Sequence, residues 1–364
     1  MKYKVISADS HVIEPSKLWV DYIEPKFRDR APRVVRQEDA DFWVCEGLSS
    51  PFSAIKFAVA GQRSEELRRT SRYDEILPGG WNPGARLKDM KCDGIDAEVI
   101  YPSVTMLFYR IQDVEFMQAC FQSYNDWVAD FCRAYSDRFA GVAVIVLDNV
   151  EWAVQELRRT AKKGFRAAMV PGTPPANQGY ESLHYDPFWA EAQELEIPIS
   201  LHTSTGRREE LNASKYWASY ATVPAGIQVS LTDLIFSRVF ERFPRLRVVS
   251  AEYGIGWIGN MLERLDHFYQ RYRWVRNEHL AGGKLPSDVF REHVYATFIR
   301  DRAGVTIRHQ IGIDNIMWSN DYPHGDSTWP YSQKVLGDHF AGVPEEEQKK
   351  IVHDNAAKLY HLLS

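Results

Sequence analysis

Apolar residues in this chain follow two rhythms that alternate along its length. Short runs such as Val142-Ala-Val-Ile-Val-Leu147 carry no polar position at all, the pattern of a strand covered on both faces in a parallel sheet. Between such runs, apolar residues recur every three or four positions. In 114–135, Phe116, Cys120, Tyr124, Trp127, Val128 and Phe131 fall on one helical face. The same reading predicts strands at 97–102, 165–170, 197–202, 246–252, 294–298 and 316–320, with a first strand, Tyr3 to Ile6, feeding Asp9 and His11. Helices are predicted at 86–92, 150–162 (capped by Asp148 or Asn149), 186–195, 221–242, 255–272 and 302–311, with two more closing the chain. Eight β-then-α units of this kind predict an α/β protein, a closed (β/α)8 TIM barrel rather than an open doubly wound sheet.

Residues 20–85 break the alternation. They hold one strand-like run, Asp41-Phe-Trp-Val-Cys45, a weakly alternating stretch from Ser53 to Ala60, and the turn-rich Pro78-Gly-Gly-Trp-Asn-Pro-Gly84. Trp43, Phe52, Phe57 and Trp81 within them argue against a disordered linker. The expectation is a single domain over 1–364 with a cap or lid inserted after the first strand.

Composition narrows the partners. With 45% hydrophobic and 26% charged residues and a net charge of −5, the chain reads as a globular protein with no call for nucleic acid or an anionic membrane surface. No apolar run is long enough to span a bilayer, and the opening Met-Lys-Tyr-Lys lacks the apolar stretch of a signal peptide. Four cysteines without metal or disulfide spacing suit a reducing cytoplasm. No Gly-x-Gly-x-x-Gly follows the first strand and no phosphate loop occurs, which counts against a nucleotide site.

A barrel collects its chemistry at the C-terminal strand ends. There the first strand carries Asp9 and His11, the fifth His202, the sixth Glu252 and the eighth Asp321. Each alone reads as a turn or helix-cap residue. Together, from distant parts of the chain, they are the donor set that one divalent ion in a barrel mouth requires. Three carboxylates and two imidazoles suit Zn, Mn or Fe and not a thiol-rich site.

These residues lie in longer motifs: Asp9-Ser-His-Val-Ile-Glu-Pro15, Asp93-Gly-Ile-Asp-Ala-Glu98, Ser200-Leu-His202, Glu252-Tyr-Gly-Ile-Gly-Trp257 with Leu262-Glu-Arg-Leu-Asp266, Ser319-Asn-Asp-Tyr-Pro-His324, and Asp354-Asn-Ala-Ala-Lys-Leu-Tyr360. In them the chain resembles the amidohydrolase superfamily, in particular its branch of aminocarboxymuconate semialdehyde decarboxylase-like enzymes. The resemblance runs end to end and leaves out only the inserted segment. It implies a catalytic divalent metal held by Asp9, His11 and His202, with Asp321 as ligand or acid/base, and by analogy a homodimer. Two departures stand out: Asp9 where His or Glu is usual, and Glu252 where those decarboxylases carry a functional histidine. The fourth strand ends Met169-Val-Pro171 with no lysine to be carboxylated, which favours one metal over two.

Two reactions follow. In the first, preferred because of Glu252, a metal-bound water attacks an ester, amide, lactone or thioester carbonyl while Asp321 or Glu252 takes its proton. In the second, an aromatic or unsaturated acid loses carbon dioxide without oxidation as Asp321 protonates the carbon. A non-catalytic barrel is the third reading. His324 either meets substrate or orients Asp321. Trp81, Phe298 and Trp329 suggest an apolar, aromatic small-molecule substrate. Arg207, with Arg208, offers a guanidinium to a substrate carboxylate, against the plainer reading of a solvated loop.

Overall fold

The computed structural model describes residues 3–38, 40–48, 51–52, 58–63, 65, 72–175, 178–206 and 215–363. The strands among them, in chain order, are β1 (Ile6–His11), β2 (Arg33–Arg36), β3 (Asp41–Val44), β4 (Ala97–Tyr101), β5 (Phe139–Val144), β6 (Ala167–Pro171), β7 (Ile199–His202), β8 (Val248–Ala251), β9 (Val294–Phe298) and β10 (Ile316–Trp318). Eight of these pair in parallel in the order β1-β4-β5-β6-β7-β8-β9-β10. Two backbone hydrogen bonds bring the ends of that sheet together: Asp321 N–H to the Asp9 carbonyl at 3.1 Å, and His11 N–H to the Tyr322 carbonyl at 2.7 Å. Helices fill the connections, so the expected (β/α)8 barrel is the fold. Apart from half-buried Tyr295, every residue of its eight strands is buried, which is why these runs read as continuous apolar sequence. No helix among the described residues is long and apolar enough to cross a membrane.

Several boundaries differ from the sequence reading. The third barrel strand starts at Phe139 and ends at Val144; Ile145 to Leu147 continue the apolar run because they remain buried beyond the last strand pairing. The predicted helix over 221–242 is three shorter ones, Tyr216–Thr222, Pro224–Phe236 and Val239–Arg242. Pro224 opens the second, and Arg238 at φ 62° turns the chain before the third. Asn149, not Asp148, caps Val150–Lys162 by accepting the Trp152 N–H at 3.0 Å.

The first strand lies later than predicted, sharing only Ile6 with the expected Tyr3 to Ile6, and contains an irregularity that matters. Its register against β4 slips between Ser7 and Ser10, so three steps of β1 match two of β4. Such bulges gather at barrel rims and re-aim side chains. Here Ser7 and Ser10 share one side, their hydroxyls 2.8 Å apart, and both bond the Asn320 side-chain oxygen, at 3.0 and 2.9 Å.

In the inserted segment β2 and β3 form an antiparallel hairpin. Trp43 packs edge-on against Trp19, whose indole N–H bonds the Cys120 carbonyl of helix Val114–Arg133 at 2.9 Å. Further on, Ala60 N–H bonds the Pro323 carbonyl at 3.0 Å and the Tyr73 hydroxyl bonds that of Glu14, tying the segment to loops after β1 and β10. Phe57 and most of 53–60 lie outside the described residues.

Glu14 holds the loop after β4 to β1. Fully buried, it accepts the backbone N–H groups of Ser103 (3.2 Å), Val104 (2.9 Å) and Thr105 (2.9 Å) and the Thr105 hydroxyl (2.6 Å). Burial pushes this carboxyl up and the Thr105 and Val104 donors pull it back. Glu14→Gln keeps the volume but turns an amide NH2 toward these donors. It should cost about 2–3 kcal/mol of unfolding free energy, read from urea denaturation; an unchanged midpoint would remove Glu14 from the scaffold.

Candidate metal centre

The five strand-end residues meet at the mouth of the barrel. His11 Nε2 lies 3.4 Å from Asp9 Oδ1, 3.4 Å from Asp321 Oδ1 and 3.9 Å from Glu252 Oε2. His202 Nε2 lies 3.5 Å from Asp9 Oδ1 and 3.4 Å from Glu252 Oε2. Asp9, His11 and His202 each present one ligand atom within 4.8 Å of the others, and so do His11, Glu252, Asp321 and His324.

Backbone geometry aims these groups. Glu252 and Asp321 each follow a strand in the left-handed region, at φ 62° and 55°, where a residue with a side chain is strained by about 1–2 kcal/mol. The Glu252 N–H bonds the Thr297 hydroxyl at 2.9 Å, and that hydroxyl donates to Asp9 Oδ2 at 3.1 Å. His11 Nδ1 sits 2.6 Å from the Pro102 carbonyl, and His202 Nδ1 2.9 Å from the Thr203 carbonyl. A carbonyl only accepts, so both rings carry a proton on Nδ1 and turn Nε2, the nitrogen left to bind a metal, toward the centre.

The inward atoms have nothing else to bond. His11 Nε2, His202 Nε2, Asp9 Oδ1 and both Asp321 oxygens are buried without a hydrogen-bond partner among the described residues. Orphaned polar groups are rare in a folded interior; five converging on one point are the donor set of a hard-to-borderline divalent ion. The residues fit one such ion. A second held by a carboxylated lysine has no place: β6 ends in Pro171, and a Cβ on Gly172 would meet the Tyr253 hydroxyl at 2.2 Å and the His202 carbonyl at 2.7 Å.

Charge and burial set the protonation of the bare cluster. Burial opposes the Asp9 carboxylate, but His202 and His11 beside it hold its pKa well below the usual range. Burial, with His324 nearby, pushes His11 down to about 4. Burial also works against His202, yet the Asp9 carboxylate carries it up to about 9. Burial and the charge of Asp321 push Glu252 well up. Burial does the same to Asp321, with His11 opposing and Asp9 assisting.

His324 stacks on His11 with centroids 3.9 Å apart and places Nδ1 3.0 Å from Asp321 Oδ1. Its Nε2 lies 2.8 Å from the Ser103 hydroxyl, whose own hydrogen goes to the Val12 carbonyl at 2.7 Å. Ser103 therefore accepts, and the His324 proton sits on Nε2, leaving Nδ1 to face Asp321. Burial drives His324 down to about 3, toward this neutral form.

Under the cluster lies a charged support absent from the sequence reading. Arg86, fully buried on helix Pro83–Asp93, donates to Glu98 at 2.6 Å and to the His11 carbonyl at 2.7 Å, with its guanidinium 4.4 Å from the Tyr322 ring centre. One acidic residue inside the apolar run Ala97-Glu-Val-Ile-Tyr101 was the available signal for it.

A cavity of roughly 320 Å3 opens beside Glu252, walled by Thr203, Tyr220, Tyr253, Arg300 and Asp326 among others. It is the size of a small one-ring ligand site. Glu252, with its side chain 21% exposed against 0–1% for Asp9, His11, His202 and Asp321, is where the cavity meets the cluster. Trp81 instead packs against Ile13, Ala58 and Ile76. Phe298 ends β9 in the core, and Trp329 meets Tyr322 edge-on and donates to the Asp89 carbonyl at 3.1 Å. None of these three lines that cavity, and Arg207 lies outside the described residues.

The amidohydrolase family model matches residues 55–362. The chain belongs to the amidohydrolase family. Among its relatives is the gamma-resorcylate decarboxylase of Rhizobium sp. (strain MTP-10005), 28% identical over 301 residues that cover 76% of this chain and 86% of that one. An amidohydrolase of Mycobacterium avium subsp. paratuberculosis K-10 shares the fold with a TM-score of 0.76 at 21% identity, covering 99% of this chain and 100% of its own. So does the 5-carboxyvanillate decarboxylase of Novosphingobium aromaticivorans DSM 12444, solved with manganese and 4-hydroxy-3-methoxy-5-nitrobenzoic acid; its TM-score is 0.73 at 19% identity, covering 99% and 97%. The metal-dependent enzyme expected from the strand ends thus has relatives of that kind, and of the two reactions set out above they favour decarboxylation over hydrolysis.

Proposed function

We propose that this amidohydrolase removes carbon dioxide, without oxidation, from a hydroxylated aromatic acid. The observation that carries the reading is the convergence of five partnerless buried ligand atoms, joined through Glu252 to a one-ring cavity, in a chain whose relatives include a gamma-resorcylate decarboxylase.

Asp9, His11 and His202 would hold the divalent ion, manganese being the first choice to test. When bound, the ion supplies Lewis-acid charge that grips and neutralises the substrate's oxygen groups. Asp321, in its acid form, gives its proton to the ring carbon that bears the carboxylate. As that C–H bond forms, the C–C bond breaks, carbon dioxide leaves and the ring recovers its electrons. His324, with Nδ1 3.0 Å from Asp321 Oδ1, accepts the hydrogen bond of the acid and orients it. The inserted segment, tied to the loops after β1 and β10, acts as the cap on that side. Free Cys45, Cys92, Cys120 and Cys132 suit a cytoplasmic enzyme, and the homodimer remains part of this proposal.

Hydrolysis keeps one specific support: the Glu252 carboxylate, 3.4 Å from His202 Nε2 and facing the cavity. The two separate in one assay. Manganese-loaded protein offered 2,6-dihydroxybenzoate and related hydroxybenzoates should release carbon dioxide, followed by gas or coupled bicarbonate detection. Cleavage of aryl esters or lactones with no carbon dioxide from any of these acids would overturn the decarboxylase.

A further inference from the structure

His11 and His202 are each pinned at a single atom. His11 Nδ1 meets the Pro102 carbonyl and His202 Nδ1 the Thr203 carbonyl. One hydrogen bond fixes a point and leaves a ring free to tilt about it. A ligand nitrogen, though, has to be aimed to within about 10–20°. A further contact must set the planes of the two rings.

Tyr101 meets both of them. Its ring centre lies 5.9 Å from that of His11 and 5.0 Å from that of His202, tilted by 39° and 46°. The two imidazoles are 5.2 Å apart, so the three rings close a triangle. Tyr101 is fully buried at the end of β4, where its Cα pairs with that of His11 on β1. Its hydroxyl reaches across the barrel interior to β7, three strands along the sheet, and shares a 2.7 Å hydrogen bond with that of Ser200. Ser200 stands two residues before His202, on the same face of its strand. One side chain thus ties the strand beside His11 to the strand that carries His202. The residue after it supplies the Pro102 carbonyl, so 101–102 hold His11 by its face and by its Nδ1.

We propose that Tyr101 is the positioning residue for both imidazole ligands, a crossbar that sets the planes of His11 and His202 together. It acts through the two rings and not on the substrate. Groups that orient metal ligands from behind carry about 10–100-fold in metal affinity. This deepens the reading of Asp9, His11 and His202 as the holders of the ion and rests on it. It is independent of which reaction the ion serves.

Calorimetric titration of the full, metal-stripped chain with manganese tests the role without any substrate. Tyr101→Leu should weaken binding by about 10–100-fold and change the electron paramagnetic resonance line shape of the bound ion. Tyr101→Phe keeps the ring and loses only the bond to Ser200. It should cost about threefold to tenfold, and Ser200→Ala the same. The double variant should lose no more than the larger single loss, because both changes remove one bond. Circular dichroism and the urea midpoint show that each variant is folded. A tyrosine serving only the core would lower the midpoint and leave the line shape of the bound ion as in the parent. Parent-like affinity and line shape in Tyr101→Leu, or losses that multiply in the double variant, overturn the role of Tyr101. A parent chain that takes up no manganese, zinc or iron overturns the metal centre and this role with it. Failure to release carbon dioxide from hydroxybenzoates bears only on the reaction.

Discussion

Asp321→Asn should abolish turnover, lowering kcat by on the order of 10^3-fold or more while the protein stays folded. An amide holds no transferable proton and is a weaker ligand, so both roles open to Asp321 fail together. Stability should move the other way. Without a metal, Asp321 sits buried among Asp9 and Glu252 with neither oxygen hydrogen-bonded. Replacing this partnerless acid by a neutral amide should leave the metal-free protein as stable as the parent or about 1 kcal/mol more so. Carbon dioxide release, manganese content and thermal unfolding of both proteins test this, and near-normal turnover would remove Asp321 from the reaction.

Arg86→Met should carry the largest loss of stability, about 3–5 kcal/mol, because it leaves the Glu98 carboxylate buried and uncompensated. Only the Ser10 hydroxyl, 3.4 Å away, would still face that carboxylate among its present partners. The His11 carbonyl loses its 2.7 Å donor at the same time, so weaker metal retention should accompany the lower urea midpoint. Adding Glu98→Gln should recover part of the loss, since the stranded charge is then gone. A cost below about 1 kcal/mol would show that the pair is not what braces the first strand.

The barrel was legible because a parallel strand buried on both faces leaves an unbroken apolar run, and eight such runs alternate with helical periodicity. The cluster was legible for a related reason: a polar residue ending such a run has only the mouth of the barrel to face. Boundaries were not. Ile145 to Leu147 stay buried past the end of β5, so hydrophobicity gives no stop signal, whereas Pro224 marked a break within 221–242 that periodicity alone ran through. The bulge between Ser7 and Ser10 was invisible, because register depends on the partner strand. Ser103 and Arg86 were missed because each works through a neighbour's backbone or tautomer, which no spacing along the chain encodes. Trp81, Phe298 and Trp329 were drawn to the site by residue type, but packing put Phe298 in the core and the other two against neighbouring loops.

The two hydrogen bonds between the ends of the sheet also have a temporal side. Asp9 and His11 leave the ribosome roughly 310 residues ahead of Asp321, whose N–H reaches back to the Asp9 carbonyl. At about 5–20 residues per second that interval is on the order of 15–60 s. Throughout it the nascent chain carries an incomplete cluster and an unjoined β1 edge. Completion of the five-residue cluster and closure of the barrel are therefore one late event, because Asp321 arrives with the last strand.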